Sequence, residues 1–388
     1  MRDLIINILD SKPNLTGREI ANILGKEKRE INSFLDKNRD VFYKDELTFR
    51  WCNYKEDVEK EIIITFPSGW VDAEIFETNI LVHSNLFEED TIIRFVFKGT
   101  QLLLDAILRL LCLANQLSHR RKKVYLDFCS CMETYRYLNR LGFFQHLHQD
   151  VYVLPNKPFE SLAKKYNQNS NSLIEIFEIC PHDDNNNEEV LRISEVFKNN
   201  FSDHEIRILL PKLQMFIGSL IDNVREHGYS DLVGYSALQI YHKPVLNQKK
   251  IILVIADNGS GLTTTLRKAL TYPRYKEVAH HFMEQSIEDD KKLIAHVLNE
   301  GGITQTNDEN RGLGLNEVHQ ALTKISKQET INLLELENID VRVSIRQDDC
   351  QINFPYKYNF LKEKDLTHRS KLTKIYGTQF ILTILLTK

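Results

Sequence analysis

A carboxylate followed by two closely spaced glycines, Asp257-Asn258-Gly259-Ser260-Gly261, stands directly after the apolar run Ile251-Ile252-Leu253-Val254-Ile255-Ala256. That order puts an ionisable acceptor at the mouth of a buried strand, then backbone without Cβ atoms that a ligand can approach closely. An ionised Asp257 suits the exocyclic amino group of adenine and rejects guanine, which carries a carbonyl there. Upstream, Asn223 and Glu226 are three residues apart and share a helix face, where the Asn223 amide oxygen could help hold a magnesium ion among triphosphate oxygens. Downstream, Gly312 and Gly314 would offer amide N–H groups to phosphates just ahead of a helix over 316–325, an end favoured by unpaired donors and by the macrodipole.

The elements that must position these groups follow from periodicity. Leu213, Phe216, Ile217, Leu220 and Val224 recur at helical spacing, and predict an amphipathic helix from Pro211 to Gly228. Gly377-Thr378 opens a last strand over 379–386. Between the glycine blocks, 262–310 holds a helix over 291–300 and the flexible pair Gly301-Gly302. Singly these signals are common, since an Asp-Asn-Gly-x-Gly is more often a turn than a site and a Gly-x-Gly before a helix is weak. Their joint order carries the argument.

In that order, Asp222-Asn223 with Glu226-His227-Gly228, Asp257 to Gly261, Arg311-Gly312-Leu313-Gly314-Leu315 and Gly377-Thr378 resemble the ATP-binding GHKL superfamily of gyrase, heat-shock chaperone ATPases, histidine kinases and MutL. The resemblance implies a Bergerat-type α/β sandwich over 191–388, with helices on one face of a mixed sheet and a lid at about 262–311. It implies ATP and magnesium as ligands, Asn223 as metal ligand, and Asn223, Glu226, Asp257, Gly259, Gly261, Arg311, Gly312, Leu313, Gly314 and Thr378 around the nucleotide, with Thr378 supporting Asp257. One departure bears on catalysis. In the hydrolysing branches a Glu four residues before the metal-binding Asn activates water, and here that position is Ser219. A Ser hydroxyl is no base near neutral pH without its own activator. Glu226, Glu205 and His227 are acids or bases nearby in sequence, but none occupies the matching position. The stretch 223–229 looks most like the anti-sigma serine-kinase branch, so hydrolysis, transfer or simple binding all stay open.

The remaining chain supplies the setting. A net charge of −4 with 42% hydrophobic residues describes an ordinary soluble protein and argues against a wholesale nucleic-acid coat, and 388 residues are enough for two or three domains with sizeable cores. No stretch reads as a signal peptide or membrane span; the apolar run 102–117 contains Asp105 and Arg109 and reads as a packed helix. The six cysteines have no metal-ligand spacing beyond one Cys-x-Cys and read as reduced thiols of a cytoplasmic protein. Residues 1–54 resemble a winged helix-turn-helix, with a Thr16/Glu19 capping box and a hairpin over 41–51. Lys26, Lys28, Arg29 and Lys37 mark its third helix, but ten Lys/Arg against nine Asp/Glu in the first 52 residues leave DNA or protein as its partner. Residues 55–165 weakly resemble a STAS-like α/β domain with Ser130 as the nearest phosphate acceptor, and 166–190 reads as a linker rich in Asn, Ser and acids. The expected function is an ATP- and magnesium-binding regulator whose lid closure alters contacts of its N-terminal domains, a partner or a second copy. An ATP-responsive transcription regulator and a protein kinase are the alternatives.

Overall fold

The computed structural model describes residues 1–12, 15–39, 41–44, 49–53, 60–83, 86–87, 91–166, 170–180, 187–227, 230–304, 313–356 and 363–388. The chain divides into two compact units, Met1–Glu61 and Ile62–Lys388. In the first, helices α1 (Arg2–Ser11), α2 (Gly17–Leu24) and α3 (Lys28–Lys37) pack with strands β1 (Leu15–Thr16), β2 (Phe42–Lys44) and β3 (Arg50–Asn53), ordered β1-β3-β2. Thr16 Oγ1 accepts from the Glu19 amide while Glu19 accepts from the Thr16 amide, so the expected capping box starts α2, and Gly25 at φ +62° ends it. Ile5, Leu9, Ile20, Ile31, Leu35, Phe42 and Trp51 form this unit's core. Lys28, Arg29 and Lys37 are exposed, while Lys26 is paired with Glu30.

The second unit opens with β4 (Lys60–Phe66), β5 (Gly69–Val71), α4 (Ala73–Ile80), β6 (Thr91–Lys98), β7 (Thr100–Leu102), α5 (Leu104–His119), β8 (Lys123–Ser130), α6 (Met132–Leu141), β9 (Val151–Leu154) and α7 (Leu162–Lys165). Its four-stranded sheet runs β4-β6-β8-β9, with β6, β8 and β9 parallel. Then come β10 (Leu173–Ile179), α8 (Asn187–Asn200), α9 (Asp203–His227), β11 (Gly234–Lys243), β12 (Gln248–Ala256), α10 (Leu262–Leu270), α11 (Lys276–Ala279), α12 (Ile287–Glu300), α13 (Gly314–Ser326), α14 (Gln328–Leu333), β13 (Asn338–Asp348), β14 (Cys350–Pro355), β15 (Thr367–Arg369) and β16 (Ile375–Thr387). These strands make one seven-stranded sheet, β10-β11-β12-β16-β13-β14-β15.

Several expectations change. The sheet is not mixed: every neighbouring pair is antiparallel, because hairpins join β11 to β12 and β13 to β14 and the last strand inserts between β12 and β13. Nor are helices confined to one face. Ile251, Leu253 and Ile255 face a core with α9, α12 and α13, whereas Ile252, Val254 and Ala256 face a second core that includes α5. Burial on both sides is why β12 reads as an unbroken apolar run rather than an alternating one. Helix α5 is buried along Ala106–Ser118, which accounts for a run apolar on all sides. The stretch expected as a linker carries β10, an edge strand of the large sheet, so 62–388 forms one unit rather than two tethered domains. Helix α9 starts at Asp203 and passes through Pro211, because Ser202 and Glu205 cap it reciprocally eight residues before the expected start.

Charge also ties the two halves of this unit together. Glu77 of α4 accepts from Arg109 of α5 at 3.0 Å and from Arg346 of β13 at 2.8 Å, all three fully buried. Arg109 extends the contact to Gln379 and Gln351 on the large sheet. Desolvation pushes the Arg109 guanidinium below its usual range, with the Glu77 charge opposing it. Among the described residues no helix is long and apolar enough to cross a membrane.

Candidate nucleotide site

Asp257 leaves the end of β12 still in register with β16, its amide donating to the Thr378 carbonyl at 2.8 Å. The Gly259 amide turns back to donate to Asp257 Oδ1 at 2.7 Å, and the Thr378 side chain also hydrogen-bonds the carboxylate. Only 8% of Asp257 is exposed. Burial raises its pKa from 3.8 to about 6, against the pull of the Gly259 and Thr378 hydrogen bonds. Gly377, at φ +81°, backs this arrangement so closely that a Cβ there would lie 2.1 Å from the Asp257 carbonyl oxygen. The pair Gly377-Thr378 is therefore a steric and hydrogen-bonding partner of Asp257, as well as part of a strand.

Asp257, Thr378, Gly261 and Asn223 line one recess with Val224, Leu262, Thr265 and Phe380, a cavity of about 30 Å³. Gly261 has φ +88° and caps the start of α10, whose first turn is fixed by paired hydrogen bonds between Thr263 and Gln347 of β13. Asn223 stands on α9 against the start of α13, where a Cβ on Gly314 would lie 3.6 Å from Asn223 Nδ2 and 3.8 Å from Ser219 Cβ. Among the described residues the buried Asn223 amide nitrogen has no hydrogen-bond partner. A polar atom in that position calls for a ligand or water. Opposite it, the amides of the first turn of α13 lack intrahelical acceptors.

Not every expected residue converges. Gly259 faces a second cleft with Asn258, Ser260, Gln116 and Tyr376, and its amide is spent on Asp257, so it supports the carboxylate instead of meeting a base. Glu226 does not line the recess. Leu313 is exposed as the residue before α13. Arg311, Gly312 and Gly228 lie outside the described residues, as does the His227 side chain. Glu205, a candidate base, is committed to Lys249 and Lys388 at the far end of α9. Ser130 is exposed at the end of β8, in register with Lys98. Among the described residues Cys112, Cys129, Cys131, Cys180 and Cys350 form no disulfide.

Two participants were missed by sequence reasoning. Ser219 Oγ donates to Glu317 Oε2 of α13 at 3.0 Å, and the signal available was that Glu317 follows Gly314 by three residues and shares its helix face. Gln116 of α5 donates to Asn258 Oδ1 at 2.7 Å and to the Tyr376 carbonyl at 2.9 Å, and accepts from the Tyr376 amide at 2.9 Å. No local pattern announces that contact, which spans the whole unit.

The residue types suit an adenine nucleotide with a divalent cation. A buried acceptor sits at one end of the recess, and an unpartnered amide with a helix N-terminus sits at the other. Among the described residues no cluster of three His, Cys, Asp or Glu could hold a metal alone, so a cation here would share its coordination with ligand oxygens. Neither a family model, nor a curated protein, nor a solved structure matches the chain.

Proposed function

We propose that the protein is a cytoplasmic, ATP- and magnesium-binding regulator of GHKL type, in which nucleotide binding alters contacts of the N-terminal segments, of a protein partner or of a second copy. The observation that carries this reading is the convergence of Asp257, Thr378, Gly261 and Asn223 on one recess, with Gly314 of α13 packed against Asn223. Asp257 accepts from the adenine amino group, and Thr378 and Gly259 hold the carboxylate for it. Asn223 and the first turn of α13 take the phosphate end, where magnesium would neutralise charge on the phosphates. Ser219 itself supplies no base.

Binding reaches other parts of the chain through the loop itself. Asn258, next to Asp257, is held by Gln116 and by the Val233 carbonyl, so a shift of the loop is felt by α5. A ligand moves such an equilibrium only by its differential affinity for the two states. Magnesium-ATP at about 100 times its dissociation constant should raise stability by roughly 2.7 kcal/mol, read as a melting shift. No shift with ATP, together with no difference between ATP and GTP, rejects the proposal.

A further inference from the structure

We propose that Glu317 of α13 is the general base for hydrolysis of the bound triphosphate, supplying from the facing helix the carboxylate that Ser219 lacks. This rests on the nucleotide reading above. Four groups meet across two helix turns: Asn223 and Ser219 on α9, one turn apart, and Gly314 and Glu317 on α13, also one turn apart. Gly314 lies against Asn223 and Ser219, and Glu317 reaches Ser219 Oγ at 3.0 Å. An acid in a first helical turn is often present only for the macrodipole. The Glu317 carboxylate does more than that, since it crosses to the neighbouring helix.

Its partnership leaves it competent. Among the described residues the Glu317 carboxylate is bonded to one neutral hydroxyl, and no Lys, Arg or His neutralises it. Ser219 donates to Oε2, which orients the group and leaves Oε1 to accept a proton. Other acids are placed differently: Glu205 is tied to two lysines and Asp257 sits at the base end of the recess. In the step, the water oxygen forms a bond to the terminal phosphorus and the bond from that phosphorus to the bridging oxygen breaks. The bridging oxygen leaves on the diphosphate, and the water proton passes to Glu317 and then to solvent. ATP and water become ADP and phosphate.

The test uses the full chain with magnesium-ATP and magnesium-ADP, reading both phosphate release and ligand affinity by melting shift. Glu317→Gln should lower release by about 10²-fold or more while the ADP shift is kept. It should also raise affinity for ATP over ADP by about threefold, because a like charge near the terminal phosphate is gone. Ser219→Glu in the Glu317→Gln background should restore release. A parent that binds ATP but releases no phosphate overturns the proposal, as does a Glu317→Gln variant whose release and ATP-to-ADP preference both match the parent's. A parent that shows no nucleotide shift defeats the underlying nucleotide reading instead, so the two failures are distinguishable.

Discussion

Replacing Asp257 by Asn separates the binding role of the carboxylate from its effect on the fold. Burial lifts the pKa of this group from 3.8 to about 6, so the fold is more favourable with Asp257 protonated than charged. At 1.36 kcal/mol per unit, that difference makes the charged form cost roughly 3 kcal/mol at pH 8. An Asn side-chain oxygen can still accept from the Gly259 amide, so the variant keeps that hydrogen bond without burying a charge. Asp257→Asn should therefore melt higher than the parent without ligand at pH 8, by up to about 4 °C in a unit of this size. The sign follows from linkage. A carboxyl whose folded pKa is raised contributes stability that is fully present below pH 3.8 and lost as pH rises through about 6. The gain from Asn should accordingly shrink as pH falls through about 6 and vanish near 3.8. In the same variant the magnesium-ATP shift should disappear. In the parent, that shift should weaken below pH about 6, because the adenine amino group favours the ionised acceptor. Differential scanning calorimetry from pH 4 to 8 measures all of this. A variant that is destabilised at pH 8, or a gain that does not change with pH, refutes the reasoning.

Other perturbations test the supports. Gly377→Ala should destabilise by about 3 kcal/mol or more in urea unfolding, since its Cβ would lie 2.1 Å from a backbone oxygen at a positive φ. Glu77→Gln should cost about 3–5 kcal/mol, because Arg109 and Arg346 would stay buried without the carboxylate that both contact; a loss under about 1 kcal/mol contradicts the buried-clamp argument. Gln116→Leu should strand the polar groups of Asn258 and Tyr376, at about 1–3 kcal/mol for each group left unpaired, and should reduce the magnesium-ATP shift although Gln116 does not line the recess.

Local signals in the sequence carried the parts of the fold that depend on neighbours along the chain. The capping box at Thr16, the helix over 104–119, the strand before Asp257 and Gly314 at the start of α13 all arise from short patterns and appear where those patterns stand. What escaped was set by partners far away in sequence. An apolar strand says that it is buried on both faces, but not that α5 provides the second cover. The stretch 166–190 reads as a linker because of its Asn-, Ser- and acid-rich flanks, yet between them Leu173–Ile179 is largely apolar and pairs with β11. Pro211 masks a helix start because Pro is usual in a first turn, and the Ser202/Glu205 box upstream overrides it. The site divides likewise. The residues singled out by spacing, Asp257, Asn223, Gly261 and Thr378, line one recess, whereas the Gly259 amide is spent on Asp257.

The same loop explains why the back face of the sheet matters to the site. Successive residues of 257–259 serve opposite sides: Asp257 lines the recess, while Asn258 turns to Gln116 on α5 and to the Val233 carbonyl. Gln116 also grips both backbone groups of Tyr376, the residue before the glycine that abuts Asp257. Asp257 is thus held between two segments, and one side chain of α5 fixes both. Moving the carboxylate towards a ligand requires moving Asn258 or Tyr376, and each motion strains hydrogen bonds to α5. Because α5 is also clamped through Arg109 to Glu77 and to Gln379, the strain is passed to α4 and to β16 rather than absorbed by a flexible tether. A ligand drawing on Asp257 would therefore act on the 62–388 unit through α5, which is the physical difference between this arrangement and two domains joined by a linker.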